Sequence, residues 1–167
     1  MAILPILKFP DPRLKLVAEP VASFDDSLLK MCTDLQETMY KFDGIGLAAT
    51  QCNIQQRIVI IDISDSFDQP MQLINPVITQ KDGSVTREEG CISFPGIYAK
   101  VTRSAEVTVE YFDLQGKAQQ LQADGLLAVC IQHEIDHLDG ITFFDHLSTL
   151  KQKLIRSKLE KQRDKIS

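Results

Sequence analysis

The residues with the clearest chemical potential are His133-Glu134-Ile135-Asp136-His137, an HExxH pattern. On an α-helix, positions four apart are separated by about 40° around the axis, so both imidazoles can reach one metal ion. Glu134, next to His133, can contact a water held by that ion. The ion lowers the pKa of the water and the carboxylate takes its proton. The other reading of so short a pattern is a surface helix that carries two histidines. The apolar run GLLAVCI immediately before it favours the metal, because two buried histidines need partners.

A catalytic metal site needs a third protein ligand and one open position. The extended pattern HExxHxxGxxH fails here: Gly140 fits, but Phe143 stands where the third histidine would be. Glu160 is a downstream glutamate, yet it lies in a basic stretch and reads as a surface charge. His146, nine residues past His137, reads as a capping or solvent-facing residue. The cysteines remain. Cys91 sits in Glu89-Gly90-Cys91-Ile92-Ser93, bounded by Gly90 and Pro95. A thiolate with two imidazoles suits a borderline-soft divalent ion. The alternative for Cys91 is a small buried hydrophobe. Cys130, one turn before His133, lines the same pocket or packs. Cys32 and Cys52 read as core or partly exposed residues. There is no CxxC pair, which argues against a disulfide framework.

These residues need a scaffold. A chain of 167 residues with 44% hydrophobic and 25% charged content fits one globular domain and argues against disorder or a coiled-coil rod. No apolar run reaches the roughly 18 residues that span a bilayer, so no membrane partner is expected. The start, MAILPILKFPDPR, lacks a basic leader and is broken by Pro5, Pro10 and Pro12. It does not read as a signal peptide, and the cytoplasm is the expected compartment. The net charge of -5 excludes a generic nucleic-acid binder. From Ser148 to Ser167, however, seven basic residues outnumber two acidic ones, so this end is a candidate contact for something anionic.

The first twenty residues carry four prolines and predict an extended arm laid over the core. Ser23 to Phe42 predicts an amphipathic helix with Leu28, Cys32, Leu35, Met39 and Phe42 on its apolar stripe. Ser23, Asp25 or Asp26 would cap it, and Gly44 would stop it. GIGLAATQ at 44–51 is a run of mostly small residues. Strands are expected at Arg57–Ile63, Gln72–Thr79 (broken or edged by Pro76), Ser84–Ser93, Ile97–Val101, Ala105–Asp113 and Ala118–Ala123. Asp124 would cap a buried helix that runs to about Asp139, with Gly140 as its stop. Leu147 to Lys165 predicts a second amphipathic helix, with Leu147, Leu150, Leu154 and Ile155 inward. The order implies an α+β fold with mostly antiparallel sheets, packed around the HExxH helix and closed by the C-terminal amphipathic helix.

Three separated motifs together resemble the bacterial peptide deformylases: GIGLAATQ at 44–51, EGCIS at 89–93 and HEIDH at 133–137. The resemblance runs from the proline-rich start to the basic terminal helix. It implies a catalytic domain over 1–147, with 148–167 as a helix of the same domain. The implied reaction is removal of the formyl group from the N-terminal formylmethionine of new polypeptides, with N-formylmethionyl peptides as partners. By motif, Cys91, His133 and His137 would hold one Fe(II) per chain, replaceable by nickel, cobalt or zinc. Glu134 would be the general base, and Gln51 and the backbone N–H of Ile92 would donate to the oxyanion. Gln51 could instead be a loop-capping amide, and the glycines simple turn residues.

Ile45, Gly46 and Gly90 would hold the peptide backbone in an extended pose, with Gly44 supporting the loop. Ile45, Val129, Cys130 and His133 would form the methionine pocket. Glu89 would pair with Arg103 to brace the metal strand; a solvated pair is the alternative. Tyr98 departs from relatives that carry an arginine nearby, which bears on substrate contacts. The basic terminal helix could meet the ribosome, or be an ordinary solvated face. Two competing readings are a zincin-type endopeptidase, which needs a downstream third ligand, and a structural Cys-His-His site, which needs a closed fourth position.

Overall fold

The computed structural model describes residues 2–166. Helix α1 spans Asp26–Lys41, and strands β1 and β2 span Gly46–Ala48 and Ile58–Ile61. Strands β3 to β7 span Met71–Asp82, Val85–Cys91, Phe94–Arg103, Glu106–Phe112 and Ala118–Asp124. Helices α2 and α3 span Gly125–Leu138 and Thr149–Ile166. Every strand pairing is antiparallel. Five strands form one sheet in the order β1-β2-β3-β6-β7, and β4-β5 is a separate hairpin. The mixed helix and antiparallel-sheet class read from the sequence is the class observed.

The sequence of β2, IVII, is apolar at every position because both faces of its sheet are covered. Ile58 and Ile60 pack with Leu28, Cys32, Leu35 and Met39 of α1. Val59 and Ile61 point the other way, against Ala128, Ile131, Ile135 and Leu138 of α2. A third cluster joins the β4-β5 hairpin to the end of the chain, through Phe94, Ile97, Phe143, Phe144, Ile155 and Leu159. The arm then ties the motif-bearing segments together. Leu7 N donates to Gln51 O at 2.7 Å, Phe9 N to Ser93 O at 2.9 Å and Ala18 N to Leu138 O at 2.8 Å.

Several local expectations need correction. Asp25 caps α1 through Ser27 N and Leu28 N, as one of the proposed caps. The left-handed residue after α1 is Asp43, not Gly44; Gly44 closes the end by donating to Met39 O. Phe42 lies past the helix and is exposed. Pro76 neither breaks nor edges its strand. It sits in the interior β3 at a bulge, where the register shifts between Ile74 and Val77 and Asn75 has φ 51°, so the missing N–H costs no ladder bond there. Asp124 occupies the cap position of α2, but its side chain makes no capping bond. The abrupt change from β7 to α2 is made by Gly125 at φ +55°, a conformation that a Cβ would strain.

At α3 the expected inward face is only partly the observed one: Leu147, just before the helix, is buried as expected, and so is Ile155. Ile155 and Leu159 are buried, whereas Leu150 is 68% and Leu154 62% exposed. Each pair is spaced by four, so either could be the buried stripe of a helix. Docking against Phe94, Phe143 and Phe144 selects the second.

Candidate metal centre and cleft

Helix α2 presents His133 and His137 on one side, with ring centroids 5.1 Å apart. β4 ends at Cys91, which carries its Sγ to 3.4 Å from His137 Nε2. The candidate ligand atoms of Cys91, His133 and His137 all lie within 4.8 Å of one another, and this group could hold a metal ion. A sulfur and a nitrogen at about 2.3 and 2.0 Å from a tetrahedral ion are about 3.5 Å apart, which the Cys91–His137 separation matches.

His133 Nδ1 is engaged by Glu89 Oε1 at 2.8 Å, which leaves Nε2 for an ion. The surroundings act on the two imidazoles in opposite directions. Burial opposes a charged His133, yet Glu134, Cys91 and Glu89 hold its pKa well above the ordinary value. Burial, then His133 and Arg103, push His137 well below it. His137 Nδ1 and Glu134 Oε1 are buried without a hydrogen-bond partner.

Glu134 is buried on α2 and borders the cleft. Burial pushes its carboxyl up to about 7, against the lowering influence of His133 and Arg103. That value suits a group that must accept and return a proton near neutral pH. Gly46 makes room for it. A Cβ there would meet Glu134 Oε2 at 2.5 Å, so this glycine is dictated by the carboxylate as well as by backbone approach.

Gln51 lies in a short 3-10 turn, Ala49–Cys52. Its Oε1 accepts from Ala48 N at 3.0 Å, which is the capping role. Its Nε2 is directed to Ser93 Oγ at 3.1 Å and Cys91 Sγ at 3.4 Å. One amide therefore caps its loop and points its donor at the candidate centre. Ile92 occupies the tight turn between β4 and β5, and its side chain is what a Cβ on Gly44 would strike, at 2.6 Å.

Glu89 and Arg103 do form a pair, and it is buried, not solvated. Arg103 Nε donates to Glu89 Oε2 at 2.6 Å and Nη2 to Oε1 at 3.0 Å. Burial is unfavourable to both charges, but their mutual hydrogen bonds, with His133 and Asp136, keep Glu89 low and Arg103 high. The sequence reading missed Asp136, which accepts from Arg103 Nη1 at 2.9 Å. It also missed Ser93. His146 is neither a cap nor merely solvent-facing: its Nε2 lies 2.8 Å from Asp136 Oδ2. Glu160 is exposed on α3.

The open cleft beside these groups has a volume of about 730 Å³. Ile45, Gly46 and Gly90 border it, with Val129 and Cys130 on the α2 wall. Burial pushes the Cys130 thiol up to about 12, so it is a neutral, apolar wall. Cys32 and Cys52 are buried with thiols pushed up in the same way. Tyr98 is 67% exposed at the rim. It pairs across the hairpin with Gly90, and a Cβ on Gly90 would meet the Tyr98 ring at 2.7 Å. Phe42 and Leu126 also border the cleft. Phe42 was assigned to the core because it continued the α1 periodicity.

The pattern of the family described as polypeptide deformylase matches residues 3–153. The chain belongs to the polypeptide deformylase family. It is 53% identical to a peptide deformylase of Nitrosococcus oceani over 162 residues, 97% of each chain. It is 54% identical to that of Pseudoalteromonas translucida over the same length and coverage. Among solved structures, a peptide deformylase from Legionella pneumophila superposes with a TM-score of 0.94 at 44% identity, over 98% of this chain and 96% of that one. The peptide deformylase from Ehrlichia chaffeensis in complex with actinonin has a TM-score of 0.92 at 36% identity, over 97% and 98%. These proteins are hydrolytic deformylases, and the three motifs belong to an enzyme of that kind.

Proposed function

We propose that this protein hydrolyses the formyl group from the N-terminal formylmethionine of newly made polypeptides and releases formate. The observation that carries the reading is the convergence of Cys91, His133 and His137 beside the buried carboxylate of Glu134, whose Oε1 has no hydrogen-bond partner. Those three side chains would hold one Fe(II) per chain, with nickel, cobalt or zinc able to replace it. The bound ion supplies Lewis acidity, which lowers the pKa of water and polarises the formyl carbonyl. Glu134 takes the proton from the attacking water and returns it to the leaving amine. The Gln51 amide and the backbone N–H of Ile92 donate to the oxyanion as it develops.

Substrate backbone would extend along the free edge of β1, an end strand of its sheet, between Ile45 and Gly46 on one side and Gly90 on the other. Ile45, Val129, Cys130 and His133 would enclose the methionine side chain. An apolar pocket of that kind discriminates only modestly among unbranched side chains. Tyr98 would contact the peptide further along. Gly44, Glu89 and Arg103 support these groups without touching substrate.

We read α2 as the central helix of a catalytic domain over 1–147. Helix α3 (Thr149–Ile166) belongs to that domain on this reading, and its basic face, exposed at Lys151, Lys153 and Lys158, would meet ribosomal RNA; Ser167, the last residue of the expected segment, lies outside the described residues. A cytoplasmic location follows from that role. Among the described residues no helix is long and apolar enough to cross a membrane.

The test is formate release from formyl-Met-Ala-Ser and from its acetylated counterpart, for wild type and Glu134→Ala. The expected result is release from the formyl peptide only, lost in the variant. An unchanged rate in Glu134→Ala would refute the base.

A further inference from the structure

The contacts of Glu89 are part of a longer chain that ends at the surface. His146 Nε2 lies 2.8 Å from Asp136 Oδ2. The same oxygen accepts from Arg103 Nη1 at 2.9 Å. Arg103 grips both oxygens of Glu89 with Nε and Nη2, and Glu89 Oε1 meets His133 Nδ1 at 2.8 Å. The side chains pass from 38% exposed at His146, through 23% at Asp136, to 4% at Arg103. Four segments contribute: β4, β5, α2 and the 3-10 turn Phe143–His146.

We propose that His146 and Asp136 are positioning residues for the candidate metal ligand His133. The inference rests on the metal reading above and extends it beyond the residues that touch the ion. An arginine can satisfy a single carboxylate in several orientations. Bound to two, its planar fork has one. Asp136 removes the remaining freedom of Arg103. Glu89 is then held with one oxygen aimed at His133 Nδ1, which fixes the imidazole's plane and tautomer and leaves Nε2 to coordinate. Asp136 is itself partly exposed, at 23%, where water could draw its carboxylate away. His146 holds the shared oxygen from the outside. Neither residue contacts the cleft: it is bordered by Glu134 and His133 on this helix, and not by Asp136 or His146.

The chain predicts an effect on the metal that a purely structural role would lack. Full-length protein loaded with Co(II) would be followed by its visible absorption and by the rate of cobalt release to a chelator, for wild type, His146→Ala, His146→Gln and Asp136→Asn. Partners of metal ligands typically change affinity by about 10- to 100-fold. Asp136→Asn should speed release by about 10-fold or more and shift the absorption. His146→Ala should do the same to a smaller extent, roughly 3- to 10-fold by that scale. His146→Gln, which keeps a donor at similar reach, should restore the wild-type rate and spectrum. If Asp136→Asn fails to fold, the two substitutions at the exposed His146 still decide the matter. Release and absorption unchanged in His146→Ala, or changed equally in Ala and Gln, would overturn the proposal. Failure of wild type to bind cobalt would instead overturn the metal reading itself, so the two failures are distinct.

Discussion

Two buried glutamates flank His133, and they are treated in opposite ways. Glu89 has both oxygens engaged, by Arg103 and by His133; burial opposes its charge, but these bonds hold its carboxyl below the usual carboxylate range. Glu134 has one oxygen buried with no partner, and burial pushes its carboxyl up to about 7. The first is fixed by a cation and can only orient. The second is poised between its charged and neutral forms and borders the open cleft. The same side-chain chemistry yields a brace on one side of a histidine and, on the function proposed above, a proton carrier on the other, because one carboxylate is given partners and the other is denied one at a buried oxygen.

The strongest way to break this contrast is to remove the proton carrier without altering its shape. Glu134→Gln should lower kcat for formate release by about 10³- to 10⁴-fold, the upper range for general acid–base catalysis, while metal content by elemental analysis stays at wild-type level. A loss of metal together with activity would mean that Glu134 also helps to hold the ion.

On the brace side, the expected damage is to stability. Arg103→Ala leaves Glu89 as an uncompensated buried charge and should cost about 3–5 kcal/mol, measured by urea unfolding. A change within a few tenths of that unit would show that the pair is not the support described here.

Gly46→Ala sharpens the comparison at the carrier itself. The new methyl would collide with Glu134 Oε2, so the carboxylate must shift. A misplacement near 1 Å costs about 100-fold in rate, and kcat should fall by that order with little change in unfolding free energy. The smallest effect is expected at Tyr98, which stands exposed at the rim of the cleft. Tyr98→Ala should raise KM for longer formyl peptides several-fold, as removal of a contact worth about 1 kcal/mol would, with kcat unchanged.

The HExxH helix was legible because its candidate ligands share one helix and a fixed spacing, and its apolar first half announced burial. Cys91 was harder. Its strand is more than forty positions from His133, and nothing local distinguishes a ligand cysteine from a core one; three motifs taken together made it the candidate. The strands were legible from period and composition, but Pro76 was misread because a bulge inside a sheet and a sheet edge look alike in one dimension.

The α3 face was half legible: Leu147 and Ile155 were placed inward and are buried, but Leu150 and Leu154 form as good a stripe as Ile155 and Leu159, and only the Phe94–Phe143–Phe144 cluster chooses between them. Asp136 and His146 were passed over for a similar reason. Their roles depend on Arg103, brought in by a different strand. The reasons for Gly46 and Gly90 were only half visible. Close approach was expected, but the groups that fill the space are Glu134 and the Tyr98 ring.

The most direct test of the central claim is the metal content of anaerobically purified wild type beside Cys91→Ala, with formate release measured on the same samples. The account predicts close to one divalent ion per wild-type chain, formate release that a chelator abolishes and added metal restores, and neither ion nor activity in Cys91→Ala. A Cys91→Ala protein that keeps its full complement of metal and deformylates at the wild-type rate would contradict it.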